Sequence, residues 1–299
     1  MSSSVSSTRV IGQRGKLAGY LALTKPRISV MVLITVAVAA LISANNMVSI
    51  WPAIHAIIGT FFIAASGSAL NQYIERYSDF VMRRTAGRPL PAQKLSAKEV
   101  AVFGAVTFGS GIVYLATNVN LLAAAVGLLT WVIYVWIYTP LKTVTWLNTV
   151  VGAVAGALPI LIGASAVQHW LAPVAWAFFG VLFLWQFPHF MAIAWKYQHE
   201  YAEGKLKMLT VTDPSGKAAG LCSVVTAVLL LPASLLPMLW MQSQLALFAV
   251  IASSLGVAYL YFSVRFAISR DNRTAKHLLR VSLLYLPAYM VLLVIGCLN

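Results

Sequence analysis

The sequence predicts an all-α, polytopic membrane protein with nine transmembrane helices, and three observations carry that prediction. The chain of 299 residues is 60% hydrophobic and 9% charged, whereas a soluble domain carries about 25% charged residues. Its mean hydropathy is +0.83. A bilayer-spanning helix needs roughly 20 mainly apolar residues, and nine segments meet that need, joined by links that alternate in charge.

In chain order, residues 1–20 are polar and basic and are expected to form a cytoplasmic tail, mostly without structure and ending in an interfacial turn. They lack the short apolar core and small-residue cleavage site of a secretory signal. The apolar segments follow at 26–44, 50–74, 99–117, 121–139, 147–167, 171–193, 218–240, 244–266 and 279–297. Residues 21–299 are therefore expected to be one transmembrane domain. The links 45–49, 118–120, 168–170 and 241–243 are short and hold no Lys or Arg. The links 75–98 and 194–217 are long, and each starts as a helical continuation, carries carboxylates early and then turns basic. This is a weak internal repeat. Pro89, Pro91, Pro214 and Gly216 end its helical parts.

All 21 Lys and Arg, and all seven Asp and Glu, fall on one set of alternate links. The positive-inside rule then places the N-terminus in the cytoplasm and the C-terminus outside. The formal charge of +14 would suggest nucleic acid in a soluble protein; here topology explains it, and no nucleic-acid partner is expected. Cys222 and Cys297 lie inside apolar segments, so no disulfide framework or CxxC metal site is implied. A channel or symmetric transporter would more often carry charge near mid-membrane.

The chemistry concentrates in Asn71 to Pro91, NQYIERYSDFVMRRTAGRPLP. Asn71, Glu75 and Asp79 sit four apart. On a helix each such step turns about 400°, so the three side chains share one stripe. Hard oxygen ligands suit Mg²⁺, whose shell is usually completed by water and substrate phosphates. Arg83, Arg84 and Arg88 follow and could neutralise phosphates. The alternative is a solvated helix end, with Glu75 and Asp79 paired to Arg83. The position at the end of an apolar segment favours function, because charge is costly there.

A second acidic group is Glu200 and Glu203, with His199 beside them and Lys196, Lys205 and Lys207 around. Two such groups at one membrane face fit a diphosphate held through a metal; pairs such as Glu200 with Lys196 are an equal alternative. Lys142 is the one charge in its link and reads first as a topology marker. His189 follows Pro188 near the end of the sixth segment. It could ligate haem iron or move a proton. Alternatively it bonds a carbonyl freed by Pro188, the simpler reading for the residue taken alone. Gly152, Gly156 and Gly163, with Ala153, Ala157 and Ala164, make a small-residue face suited to close helix packing.

The stretch 71–91 resembles the first motif of the UbiA-type intramembrane prenyltransferases. TKPRISV at 24–30, YTPLK at 138–142, FLWQFPHFMAIAWKY at 183–197 and EYAEGKLKML at 200–209 agree with it. The likeness is colinear over about 20–240, and RTAGRPLP with WQFPHF resembles the haem branch of that superfamily. It implies nine helices around a central cavity open to lipid. It implies Mg²⁺-dependent transfer of farnesyl from farnesyl diphosphate to a vinyl group of haem b, giving haem O. By residue match, Asn71, Glu75, Asp79 and Glu200 would be catalytic and hold the metal. Lys25, Arg27, Arg83, Arg88, Lys142 and Lys196 would bind diphosphate. His189 and His199 are the haem-binding candidates. The resemblance also implies the bacterial inner membrane, with a haem A synthase or a terminal oxidase assembly factor as a possible partner. Prenylation of a quinone precursor, transport, or haem binding without catalysis are the rival readings. Two departures stand out: His199-Glu200-Tyr201 where Asp-Asp-Tyr is usual, and Tyr77 where an acid is frequent.

Overall fold

The structure is a computed structural model that describes residues 13–44 and 49–298. Residues 1–12, 45–48 and Asn299 lie outside the described residues, and so do the expectations that fall on them. Among the described residues the spans are Pro26–Ser43, Trp51–Ile74, Ala97–Asn118, Leu121–Leu141, Asn148–Gln168, Pro173–Lys196, Lys217–Trp240, Leu245–Ser269 and Asn272–Cys297, termed spans one to nine.

Two boundaries differ from expectation for local reasons. Residues 13–20 are not structureless, since Gln13–Leu23 is a helix. Lys16 pairs with Glu99 at 2.8 Å, and Leu23 packs with Ala69, Leu95 and Val100. Span nine begins at Asn272 rather than at 279. The Asp271 carboxylate accepts from the Thr274 amide at 2.7 Å and caps the helix, so its basic first turns stay helical. Ser96 and Glu99 form a reciprocal capping box at the start of span three.

The spans close on themselves. Each packs on the next in sequence, and span nine returns to pack on spans one and six. Span five is the most buried of the nine, and its glycines explain how it fits. A Cβ on Gly163 would strike the backbone of Val36 in span one. One on Gly156 would strike the Gln186 side chain in span six. One on Gly152 would meet the Tyr138 ring in span four. The small-residue face therefore admits three neighbours rather than one.

Several spans carry proline. Span five breaks at Leu158, where Pro159 starts a new helical stretch, and spans six and nine carry Pro188 and Pro287 internally. Span four changes to a π-helix over Ile133–Tyr138 before Thr139–Leu141. Such wide turns are frequent at functional sites.

Candidate active site

A central cavity of about 670 Å³ lies among the spans. One end is charged, lined by Lys25, Arg27, Glu75, Asp79, Arg88 and Lys142; the remainder is largely apolar, with Ile63, Ile162, Leu182, Trp185 and Leu286 in its wall.

The charged end is built by span two and its continuation. Asn71 lies in the last turn of span two, Glu75 is its C-cap, and Asp79 sits in the short helix Arg76–Val81. The helical path runs through all three, so the predicted stripe exists, and all three are buried. Each acid is met by a cation, Glu75 by one from the distant end of span four and Asp79 by one nine residues on in its own link. Lys142 Nζ lies 2.7 Å from Glu75 Oε1. Arg88 Nη1 donates to both Asp79 oxygens at 2.6 Å and stands 3.9 Å from Glu75. Lys25 Nζ donates to Asn71 Oδ1 at 2.9 Å. Arg83 takes no part in these bonds, so the solvated pairing with Arg83 is not what forms.

The local charge balance favours an anion. Burial opposes charge on both members of the Glu75–Lys142 pair, yet their mutual attraction holds Glu75 below and Lys142 above their ordinary values. Burial pushes Asp79 up, against the pull of Arg88. Lys25 is depressed to about 7, first by burial and then by the positive charge of Arg88. It also adopts the left-handed backbone conformation, φ 46°, which costs an ordinary residue about 1 kcal/mol and is common at functional positions. With Lys25 protonated, the cations lining this end outnumber its two carboxylates, leaving positive charge for an incoming anion to answer.

Asn71 is held in one orientation. Its Nδ2 donates to Thr139 Oγ1 at 3.1 Å, and Thr139 gives its own proton to the Tyr134 carbonyl at 2.7 Å. A hydroxyl has one proton, so Thr139 can only accept from Asn71, and Oδ1 turns towards Lys25. Tyr134 and Tyr138, stacked at 5.5 Å, line the cavity beside this group, and Lys142 stands 4.4 Å over the Tyr138 ring. Nothing in the sequence marked Thr139 or Tyr138 beyond their place in YTPLK, and nothing marked Tyr134.

The second acidic group is tied to the first link. Glu200 Oε2 accepts from the Arg84 amide at 2.9 Å, and not from Lys196. Arg84 also donates to Tyr201 Oη at 3.1 Å and lies over the Tyr197 and Tyr201 rings. Arg84 thus clamps the two links together while also lining the cavity. Glu200 does not line the cavity. Arg83, Lys196 and His199 are exposed and do not line it.

His189 does line the cavity. Its Nδ1 pairs with Ser282 Oγ at 2.8 Å, and its ring stacks on Trp185 at 4.9 Å. It does not bond a carbonyl freed by Pro188. Gln186, one turn away, donates to the Ala153 carbonyl at 2.9 Å.

The oxygen set of Asn71, Glu75 and Asp79 fits a hard divalent cation. Among the described residues no three His, Cys, Asp or Glu side chains group to hold a metal by themselves. Substrate phosphates would therefore have to complete the shell, as is usual for Mg²⁺.

These features define a multi-pass membrane enzyme whose cavity suits an amphiphile with an anionic head and a long apolar tail. The chain belongs to the UbiA prenyltransferase family, whose model matches residues 32–286. Among curated relatives, a protoheme IX farnesyltransferase of Solibacter usitatus is 41% identical, aligned over 90% of this chain and 94% of its own. Another of the same name from Rhodopirellula baltica is 40% identical, over 91% and 97%. Among solved structures, a digeranylgeranylglyceryl phosphate synthase superposes with a TM-score of 0.78 at 16% identity, covering 94% of this chain and 98% of that one. A UbiA homolog from Archaeoglobus fulgidus bound to DMAPP and Mg²⁺ gives 0.71 at 15% identity, over 92% and 99%. The two structures establish the shared fold.

Proposed function

We propose that this chain transfers the farnesyl group of farnesyl diphosphate to a vinyl group of haem b, giving haem O and diphosphate. The observation that carries the reading is that one cavity joins the cation-ringed carboxylates to His189 and an apolar wall. The relatives at 40% and 41% identity carry the name of that activity.

Asn71, Glu75 and Asp79 would hold Mg²⁺, with Glu200 nearby, and the bound ion would neutralise the leaving diphosphate. Lys25, Arg27, Arg88 and Lys142 bind the phosphate oxygens, and Arg83 and Lys196 attract the anion from outside the cavity. Ion binding would exchange Arg88 and Lys142 from carboxylate to phosphate. The C1–O bond of the substrate breaks with its electron pair leaving on diphosphate. The vinyl π-pair forms the new bond to C1. Water adds to the resulting cation and loses one proton, which leaves the hydroxyl of haem O. The apolar wall keeps water from C1 until that bond has formed, and alignment of the two substrates lowers the barrier further. The charged end faces the cytoplasm of the bacterial inner membrane, and the C-terminus lies outside. The product passes to a haem A synthase or to a terminal oxidase assembly factor.

The test is a pigment extract, resolved by mass, from cells with and without the protein. Haem O should appear only with it, and Glu75→Gln and Asp79→Asn should remove haem O while leaving folded protein in the membrane. Near-normal haem O from both variants sinks the metal site. A prenylated quinone precursor in place of haem O sinks the substrate assignment.

A further inference from the structure

The wall around His189 contains a bond whose direction can be read. Ser282 Oγ lies 2.7 Å from the Leu279 carbonyl oxygen and 2.8 Å from His189 Nδ1. Two oxygens at 2.7 Å repel unless a proton lies between them, and the carbonyl has none to give. The single hydroxyl proton of Ser282 is therefore spent on Leu279. The remaining contact must be donated by the histidine, so His189 carries its proton on Nδ1. A neutral imidazole has only one such proton, and Nε2 keeps a lone pair. His189 lines the cavity, and Nε2 has no hydrogen-bond partner among the described residues.

A stacking contact holds the ring against reversing this choice. Trp185 stacks on its face at 4.9 Å and 21°. Trp185 is itself pinned, because its Nε1 donates to the Ser282 backbone carbonyl at 2.9 Å and its own carbonyl accepts from Tyr259 Oη at 2.9 Å. Spans six, eight and nine therefore meet at Trp185, span nine at its ring and span eight at its backbone carbonyl. The acceptor that orients an imidazole through its Nδ1–H fixes the tautomer and sharpens the lone pair on Nε2, and loss of such a partner typically weakens a metal bond about 10- to 100-fold.

We propose that Ser282 is a positioning residue that locks His189 as the Nδ1–H tautomer and presents the Nε2 lone pair to the iron of the substrate porphyrin. The inference rests on the haem reading above. It adds that His189 holds the porphyrin by its iron, not by its propionates, and that span nine decides whether it can. No bond to substrate carbon is made or broken by either residue.

The experiment uses the full chain in lipid nanodiscs with ¹⁵N-labelled histidine. The His189 signals are identified by their loss in His189→Gln. In the haem-free parent, Nδ1 should be protonated and Nε2 not. Ser282→Ala should lose that preference, and Ser282→Thr, which keeps the hydroxyl, should retain it. Each protein is then titrated with ferrous haem, reading the Soret band and the iron–histidine vibration. Ser282→Ala is expected to bind about 10-fold more weakly with a shifted vibration, and Ser282→Thr to match the parent. A parent with the Nε2–H tautomer overturns the proposal. So does haem binding with an iron–histidine vibration that Ser282→Ala leaves unchanged, and in that case the substrate reading survives. A parent that shows the expected tautomer but binds no haem overturns both.

Discussion

Lys142 Nζ lies 2.7 Å from Glu75 Oε1 and 4.4 Å over the Tyr138 ring, so the end of span four grips the end of span two across 67 residues of sequence. Both partners are nearly buried, at 14% and 8% exposure. Breaking one side of a buried pair leaves the other charge unanswered, at a cost of about 3–5 kcal/mol. Lys142→Met is therefore expected to lower the unfolding temperature in detergent and to weaken prenyl diphosphate binding at least about 10-fold, the effect of about 1.4 kcal/mol. Adding Glu75→Gln should recover much of the stability and none of the activity. Stability and binding both equal to the parent in Lys142→Met would refute the grip.

The orientation of Asn71 depends on Thr139. Thr139→Val keeps the shape but removes the acceptor for Asn71 Nδ2. The Mg²⁺ concentration for half-maximal diphosphate release is expected to rise several-fold, to the extent of about 1 kcal/mol for one hydrogen bond. Thr139→Ser should behave as the parent. A serine variant as impaired as the valine one would point to packing instead.

The charge asymmetry makes a topological prediction. A reporter inserted after Gly87 should be cytoplasmic, and one fused after Asn299 should be external. Accessibility labelling of the two fusions checks this, and a reversed result at either site overturns the orientation.

Two glycines separate close packing from open space. At Gly163 an added Cβ collides with the Val36 backbone, which cannot move aside as a side chain can. Gly163→Ala is expected to destabilise by about 1–3 kcal/mol. At Gly180 nothing lies within 4 Å of the added atom, and Gly180→Ala should be neutral or stabilising by up to about 1 kcal/mol. Thermal unfolding of the two variants in the same detergent tests the contrast, and equal midpoints would contradict it.

The nine spans, their order and the stripe of Asn71, Glu75 and Asp79 were determined by the sequence alone. Hydropathy is a local transfer property, so a run of apolar residues declares itself without its neighbours. Helical spacing is equally local, and it carried the stripe through the end of span two into the helix Arg76–Val81. The exception at 13–20 is instructive: that helix is held by Glu99 and Leu95, which no local pattern announces. Partners were decided only by the tertiary structure. Lys142 read as a topology marker until span four brought it to Glu75, and Arg88 rather than Arg83 met Asp79. Glu200 bonded a backbone amide 116 residues away instead of a neighbouring lysine. Ser282 gave no signal at all, being one hydroxyl in an apolar span that becomes informative only 2.8 Å from His189. The physical reason is common to all of them. Whether a buried charge or hydroxyl is free, paired or aimed depends on what lies within about 3 Å of it, and that neighbour is chosen by how the spans pack.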